Sequence, residues 1–199
     1  MNLQADINFL YEMSCLKHKI RDWEHLLGVS MANHAEHIFH VAWIALIIAK
    51  HEGVNNTDKI LKLALVHDVS ESRSVDVSYL TRQYVTRHED QAIKDTFSKV
   101  SIGQEFITLW KEYELRESIE SQIVKDADNL DVDMELKEQA MTGLQISRYW
   151  QEMRDHVAKT KLYTQTAKRM YQQIKHSNPY NWHLENNRYT SGDWKKDSD

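Results

Sequence analysis

The sequence contains few of the residues that interrupt helices. Proline occurs once, at Pro179, and glycine occurs five times in 199 residues. These two residue types mark turns and hairpins, so their scarcity leaves long stretches without a local reason to end a helix. No stretch of useful length alternates apolar and polar residues in the way that strands do. The sequence therefore predicts an all-α fold.

Cysteine and long apolar runs are also nearly missing. Cys15 is the single cysteine and cannot form an intramolecular disulfide. The most apolar run, residues 41–49, is far shorter than the roughly 20 residues that cross a bilayer. The first residues lack the basic and apolar regions of a secretory signal. These features predict a cytoplasmic protein with no membrane segment.

The charge balance disfavours one class of partner. The formal net charge is −5 at pH 7 and the isoelectric point is near 6.1. Proteins that neutralise many backbone phosphates of a nucleic acid present a basic surface. We therefore expect no nucleic-acid polymer as a partner, although a small phosphate ester can still bind locally.

Apolar residues recur at helical spacing along most of the chain. Between residues 38 and 49 they fall at three- and four-residue steps, which predicts a helix with His37 at its start. A second helix is predicted from Thr57, as its N-cap, to His67 and Asp68 near its end. Further helices are predicted over residues 89–100, 103–113, 118–139 and 147–175.

The composition changes after residue 176. Residues 1–176 are predicted to form a single helical domain. Residues 177–199 contain Asn, Ser, Gly and the lone proline, together with the aromatic residues Tyr180, Trp182, Tyr189 and Trp194. Polar disorder rarely carries so many rings, so we expect this tail to pack on the body of the protein or on another subunit.

A set of imidazoles and carboxylates is spread over three predicted helices: His37, the adjacent pair His67 and Asp68, then Glu71 and Asp76, and finally Asp128. Such donors suit a divalent cation that keeps room for water and a phosphate oxygen. Neighbours on a helix point about 100° apart, so the adjacent pair reaches one ion only where the helix flanks a cleft. The pattern therefore favours a metal site.

The His-Asp pair alone is weak evidence for that site. Composition gives roughly one such pair by chance in a chain with this much His and Asp. The context favours the metal, because His67 and Asp68 end an apolar helix, where a charged pair needs a partner. From the residues alone, both interpretations stay open.

Three segments, residues 33–42, 64–77 and 109–130, read NHAEHIFHVA, ALVHDVSESRSVDV and LWKEYELRESIESQIVKDADNL. In this order and spacing they resemble the HD superfamily of metal-dependent phosphohydrolases, and most of all its 5'-deoxynucleotidase-like members. The first is similar to the helix that presents the first metal-binding histidine. The second resembles the His-Asp motif, and the third the segment with the last metal-binding aspartate. The resemblance covers most of residues 21–133.

The resemblance implies a compact helical HD-domain fold with a central metal-binding cleft. The ligands that it implies for one divalent cation are His37, His67, Asp68 and Asp128. The sequence does not distinguish among Mn, Co, Mg, Fe and Zn. Asp126 is the competing choice for the last ligand, but the second aspartate of KDADNL is the one that aligns. The alternative for such a carboxylate is a surface position, which we also expect for Asp131 and Asp133.

Two further acids have implied catalytic roles. Glu71 resembles the water-activating carboxylate of the family, and it follows His67 by one helical turn if that helix continues. Asp76 matches the second catalytic acid, which approaches the scissile phosphate and the sugar.

Arg21 and Trp23 are the expected substrate contacts. Bacterial members place a tryptophan that lines the sugar pocket at the spacing of Trp23, with a basic residue directly before it. Here that position is Asp22, and the arginine stands one step earlier. The alternative for Trp23 is core packing, and Lys125 is expected either to contact phosphate or to be solvated.

The implied activity is removal of the 5'-phosphate from (deoxy)nucleoside monophosphates. One alternative is another HD chemistry, namely release of triphosphate from deoxynucleoside triphosphates or hydrolysis of a phosphodiester. Another is a noncatalytic nucleotide-binding protein, which would not need both Glu71 and Asp76 near a cation.

Large apolar residues also lie on predicted outer helix faces, namely Leu144, Tyr149, Trp150 and Tyr163. Contiguous exposed apolar area usually marks a partner surface, and symmetric dimers are the commonest assembly. We therefore expect a homodimer, as the resemblance also implies.

Overall fold

Helices make up the fold throughout residues 2–185, which are the residues that the computed structural model describes. Their bounds are α1 Leu3–Ser14, α2 Asp22–Leu27, α3 His34–Glu52, α4 Thr57–Val66, α5 Glu89–Phe97, α6 Gly103–Leu115, α7 Ile119–Met141, α8 Ile146–Thr160, α9 Gln165–His176 and α10 Asn181–Glu185. Within this part of the chain no strand occurs. The predicted all-α fold is confirmed.

Helix α3 lies at the centre, where it packs against α4 and α7. It begins at a capping box, in which Asn33 accepts a hydrogen bond from the Glu36 amide and Glu36 accepts one from the Asn33 amide. It ends at Gly53, whose φ of +73° is in the left-handed region that favours glycine. The buried face consists of Ile38, Val41, Ile44, Ala45, Ile48 and Ala49, as the apolar spacing predicted. This packing fixes α3 against the helix that carries Asp128.

Helix α4 differs from the prediction at both ends. Its N-cap is Asn56, which accepts a hydrogen bond from the Lys59 amide, and Thr57 is the first helical residue. The α-helix ends at Val66, and a short 3₁₀ turn follows over Val69–Ser72. The His-Asp pair therefore lies between the end of α4 and this turn.

The single helix predicted over residues 147–175 is in fact two helices, α8 and α9. The break has a tertiary cause, because the buried Asp126 carboxylate accepts three hydrogen bonds from the corner between them. They come from the amides of Tyr163 and Thr164 and from the Thr164 hydroxyl, at 2.7, 2.8 and 2.7 Å. Thr164 also caps α9 by accepting a hydrogen bond from the Ala167 amide.

Helix α1 was not predicted from the sequence. It begins at the N-cap Asn2 and packs Phe9 against Phe97 of α5, with ring centroids 5.1 Å apart. Helix α6 follows α5 after a tight connection that needs glycine, since a Cβ at Gly103 would lie 2.0 Å from the Phe97 carbonyl oxygen. No helix in the described part of the chain is long and apolar enough to span a membrane.

The predicted tail lies only partly within the described residues. Tyr180, directly before α10, and Trp182, within it, are exposed to solvent. Tyr189 and Trp194 lie outside the described residues. Packing of the tail on the body or on a partner therefore stays a prediction.

Candidate metal centre and cleft

Three helices contribute the four predicted ligands: donor atoms of His37, His67 and Asp68 all lie within 4.8 Å of one another, and Asp128 contacts His37. His37 projects from the first turns of α3, His67 and Asp68 follow the last residue of α4, and Asp128 lies in the middle of α7. The His37 Nε2 atom lies 3.3 Å from His67 Nε2, 3.4 Å from Asp68 Oδ2 and 3.3 Å from Asp128 Oδ1. His67 Nε2 lies 3.3 Å from Asp68 Oδ2. Atoms bound to one ion at roughly 2.0–2.1 Å lie about 3.4 Å apart at tetrahedral and about 3.0 Å apart at octahedral angles.

The other nitrogen of each ring shows why this cluster fits a cation. His67 Nδ1 lies 2.7 Å from the Ala64 carbonyl oxygen, which only accepts, so Nδ1 carries the proton. His37 Nδ1 lies 2.5 Å from Asp131 Oδ2 and donates to that carboxylate. Burial and Arg21 oppose a charge on His37, but the carboxylates of Asp128, Asp131 and Asp68 raise the pKa of His37 well above its ordinary value. A cation bound at Nε2 would take the place of that proton, and such outer hydrogen-bond partners are typical of metal-binding histidines.

Asp131 and Asp133 are buried, so the expectation that they lie on the surface is wrong. Asp131 contacts His37 and also His40 Nδ1, at 2.5 Å. Burial alone would raise the pKa of Asp131, but the two histidine contacts lower it to about 2. Asp133 forms a bidentate pair with Arg154, at 2.7 and 2.8 Å. One aspartate therefore orients a candidate ligand, and the other joins α7 to α8.

Arg21 is buried behind the first histidine and also borders the cleft. Its Nη1 atom lies 3.5 Å from Asp131 and 3.8 Å from Glu135. The same atom lies 3.1 Å from His37 Nδ1, so the guanidinium contacts the first histidine as well as these acids. The next residue, Asp22, donates its backbone amide to Asp76 Oδ2 at 2.9 Å, which fixes that carboxylate at the cleft.

Glu71 borders the cleft although helix α4 does not continue to it. The 3₁₀ turn after Asp68 places the Glu71 carboxyl between Arg87, whose Nη1 is 3.2 Å from Oε1, and His34, whose Nδ1 is 3.4 Å from Oε2. Burial raises the pKa of Glu71 to about 9, and the charges of Asp68 and Asp76 add to that increase. The expected helical geometry was wrong, but Glu71 still faces the cleft.

The cleft has a volume of about 380 Å³ and combines charged and aromatic walls. Trp23 borders it, and its ring centroid lies 4.8 Å from Trp150 and 6.2 Å from Tyr79. Trp150, expected on an outer face, is therefore packed against Trp23. The basic residues at the cleft are Arg21, Arg82, Arg87, Arg116, Lys125 and Arg154.

Sequence reasoning missed most of these basic side chains, because they follow no motif and come from separate elements. Lys125 was predicted either to contact phosphate or to be solvated, and its ammonium is bound to Asp128 Oδ2 at 2.6 Å. Burial opposes its charge, but Asp128 raises the pKa of Lys125 above the ordinary value. Arg116 stacks on Tyr113, 3.3 Å from the ring centroid. Its φ of +57° is unusual for a residue other than glycine.

The fold and the site together define a class of protein. Such proteins are helical and gather His and Asp side chains from several helices beside a charged cleft, where they can bind a metal ion. Within that class, the family model described as HD domain matches residues 13–174. The chain therefore belongs to the HD domain family, as the three sequence segments predicted.

The chain is similar to curated proteins over part of its length. It is 30% identical to the protein named 5'-deoxynucleotidase HDDC2 of Bos taurus over 109 residues, which are 52% of this chain and 52% of the bovine protein. The chain thus spans about half the length of the curated relatives that it matches.

Solved structures share the fold over a larger part of the chain. A conserved hypothetical protein from Pyrococcus furiosus is 26% identical with a TM-score of 0.71, covering 86% of this chain and 99% of that one. A predicted metal-dependent phosphohydrolase from Magnetospirillum magnetotacticum is 20% identical with a TM-score of 0.69, covering 86% and 92%. At 20% identity, the similarity to the Magnetospirillum protein shows a shared fold and nothing more.

Proposed function

We propose that this protein is a metal-dependent phosphohydrolase that removes the 5'-phosphate from (deoxy)nucleoside monophosphates. The observation that carries the proposal is the cluster in which the Nε2 atoms of His37 and His67 face each other, 3.3 Å apart, beside Asp68 and Asp128. Membership of the HD domain family and similarity to proteins named 5'-deoxynucleotidase support it. In this proposal those four residues hold one divalent cation.

The proposed chemistry divides the work among the cation and two carboxylates. A bound divalent cation offsets phosphate charge and lowers the pKa of water. Glu71 takes the proton of the attacking water, and Asp76 orients the leaving sugar oxygen or donates a proton to it. Asp68 is one of the charges that raise the pKa of Glu71. When Asp68 shares its charge with a cation, that pKa falls toward the range of a useful base.

The cleft supports a small, anionic and partly aromatic substrate. Six basic and seven acidic side chains border about 380 Å³ of space, enough for a mononucleotide rather than a polymer. A divalent cation that offsets the acids would let the basic side chains attract a phosphate. In the proposal, Lys125 and neighbouring cations offset the phosphate charge, and Trp23 packs on the sugar or base. Arg21 as a substrate contact stays a prediction, and its pairing with Asp131 and Glu135 also suits a role in orienting His37.

A panel assay tests the activity. Purified protein with Mn²⁺, Co²⁺ or Mg²⁺ is incubated with nucleoside mono- and triphosphates and with phosphodiesters, and the released phosphate species are identified. Orthophosphate from monophosphates supports the proposal. Tripolyphosphate or a new monoester would instead identify another HD chemistry, and nucleotide binding without any product would identify a noncatalytic protein.

We further propose a homodimer. An exposed apolar stripe on α3 supports this assembly, because Phe39, Trp43 and Ile47 follow one another at four-residue spacing and remain 66%, 55% and 48% exposed. Large exposed apolar surfaces usually bind a partner.

A cytoplasmic location stays a prediction that rests on the single cysteine.

A further inference from the structure

His34 is the first residue of α3 and is completely buried. Its backbone amide donates to the Lys19 carbonyl oxygen at 3.1 Å. Its side chain is different, since neither Nδ1 nor Nε2 finds a hydrogen-bond partner among residues 2–185. Buried polar groups without partners cost free energy and usually reflect a functional constraint. A leucine would fill a similar volume without that cost.

The side chain next to His34 has the same deficit. Glu71 Oε2 is also buried without a hydrogen bond in the described chain, and it lies 3.4 Å from His34 Nδ1. The other oxygen, Oε1, accepts from Arg87, which is itself held by Glu89 at 2.8 Å. His34 Nδ1 and Glu71 Oε2 thus face each other without a hydrogen bond on one side of the carboxyl group, and Arg87 binds its other side. A small rotation of either side chain forms a hydrogen bond between them.

We propose that His34 is a positioning residue that holds Oε2 of Glu71 while Arg87 holds Oε1. This inference rests on the proposed function, in which Glu71 takes a proton from the attacking water. His34 does not border the cleft, whereas Glu71 does, so His34 acts only through Glu71. A carboxylate fixed at both oxygens keeps its plane toward the water, and small errors in such placement cost large factors in rate.

An uncharged imidazole suits this role. Burial lowers the pKa of His34 to about 4, so the ring is neutral at pH 7. A neutral donor orients the carboxylate without adding a second positive charge beside Arg87, and so without weakening the base further. A lysine or arginine in place of His34 would form an ion pair instead.

The test compares His34→Leu with His34→Gln, which keeps a side-chain amide donor. In the presence of saturating Mn²⁺ and a nucleotide hydrolysed by the wild type, His34→Leu should lower kcat about 10- to 100-fold. The KM should change less than about threefold, and the melting temperature should not fall, because an unsatisfied buried group has been removed. His34→Gln should recover part of kcat.

Thr96→Val is the matched control. Thr96 is also buried, and its hydroxyl also lacks a partner in the described part of the protein, but it lies on α5 outside the cleft. This variant should keep the wild-type kcat. In a Glu71→Gln background, His34→Leu should have no further effect on kcat, because there is no carboxylate left to position.

Several results would overturn the inference. One is an unchanged kcat in His34→Leu. Another is that His34→Leu lowers kcat in the Glu71→Gln background by as much as it does in the wild type. A third is that His34→Leu loses a second bound cation, which would make His34 a metal ligand. A contact measurement separates this inference from the proposed activity, since it needs no turnover. In Mg²⁺-loaded protein, Glu71→Gln should shift the ¹⁵N resonance of His34 Nδ1, and an unshifted resonance would reject the contact even if nucleotides are hydrolysed.

Discussion

The Ala64 carbonyl illustrates how single atoms prepare the candidate metal centre. By accepting the Nδ1 proton of His67, it leaves Nε2 directed at His37 and at the Asp68 carboxylate. Asp131 acts in the same way on His37. The donor atoms are therefore oriented by neighbours before any ion binds, which lowers the cost of assembling the site.

Removal of a proposed ligand should remove both metal and activity. His67→Ala or Asp68→Ala takes away a donor that the remaining side chains do not replace, so the purified variants should lack stoichiometric cation. Elemental analysis together with the nucleotide assay checks this. His51 is exposed, so His51→Ala is the control and should retain the ion. Full metal content in both His67→Ala and Asp68→Ala would contradict the assignment of these residues as ligands.

Asp131→Asn provides a graded comparison with the ligand variants. An amide at residue 131 can no longer accept as strongly from His37, so cation affinity should fall by about 10- to 100-fold rather than vanish. Titration with Mn²⁺ measures the difference. Equal affinity in wild type and variant would show that the contact does not orient His37.

Glu71→Gln should separate binding from chemistry. The amide keeps the shape of the side chain but accepts no proton, so kcat should fall about 10²- to 10⁴-fold while bound metal and KM change little. The surface variant Glu117→Gln should behave as wild type. If Glu71→Gln turns over normally, another group is the base.

The residue types of this site were predictable from sequence, but their surroundings were not. The ordered pattern around His67 and Asp68 indicated the candidate ligands. Arg21, directly before α2, reaches Asp131 of α7 and His37 of α3 only in the folded chain, and no spacing along the sequence encodes that contact. The neighbour of Glu71, His34, is likewise 37 positions away in sequence, on a different helix.

At the scale of elements, local sequence predicted α3, α4 and α7 within a few residues, because each has a capping side chain and a periodic apolar face. It failed at the α8–α9 corner. Residues 147–175 have good helical propensity throughout. The break comes from the Asp126 side chain on α7, which is far from the corner in sequence but accepts hydrogen bonds from its backbone amides. Tertiary hydrogen bonds override local propensity here.

Asp126→Ala should therefore destabilise the fold. It removes the acceptor of three hydrogen bonds and leaves the buried Thr164 amide without a partner, so the free energy of unfolding should fall by about 2–4 kcal/mol. Urea denaturation measures this. Asp95 is exposed and also on a helix, so Asp95→Ala is the control and should change stability by less than about 0.5 kcal/mol. An equally small effect of Asp126→Ala would refute the explanation of the helix break.

Gly103→Ala tests the connection between α5 and α6. The added methyl would lie 2.0 Å from the Phe97 carbonyl oxygen, which is backbone and yields only if the turn opens. We expect a loss of about 3 kcal/mol in the free energy of unfolding. Gln104→Ala, at the exposed next position, is the control and should be nearly neutral. Equal stability of the two variants would mean that the turn adapts.

At the scale of the whole molecule, the surface offers two candidate contact regions for a second copy. The α3 stripe of Phe39, Trp43 and Ile47 is one, and Tyr149, which is 81% exposed on α8, belongs to the region predicted from sequence. Light scattering at micromolar concentration should give about twice the chain mass of 23.6 kDa. Trp43→Glu should reduce the mass to that of one chain, whereas Tyr149→Glu should not. The reverse result would place the interface on α8, and a wild-type monomer would reject the dimer.

The positions of the four proposed ligands along the chain also affect how the protein is made. A nascent chain that has emerged only through Asp68 carries three of the four donors, and the fourth arrives 60 residues later in α7. Because α7 must dock against α3 before Asp128 reaches the others, full cation uptake follows that docking and does not guide the earlier steps of synthesis. Metal loading would thus mark the docking of α7 against α3 in newly synthesised protein.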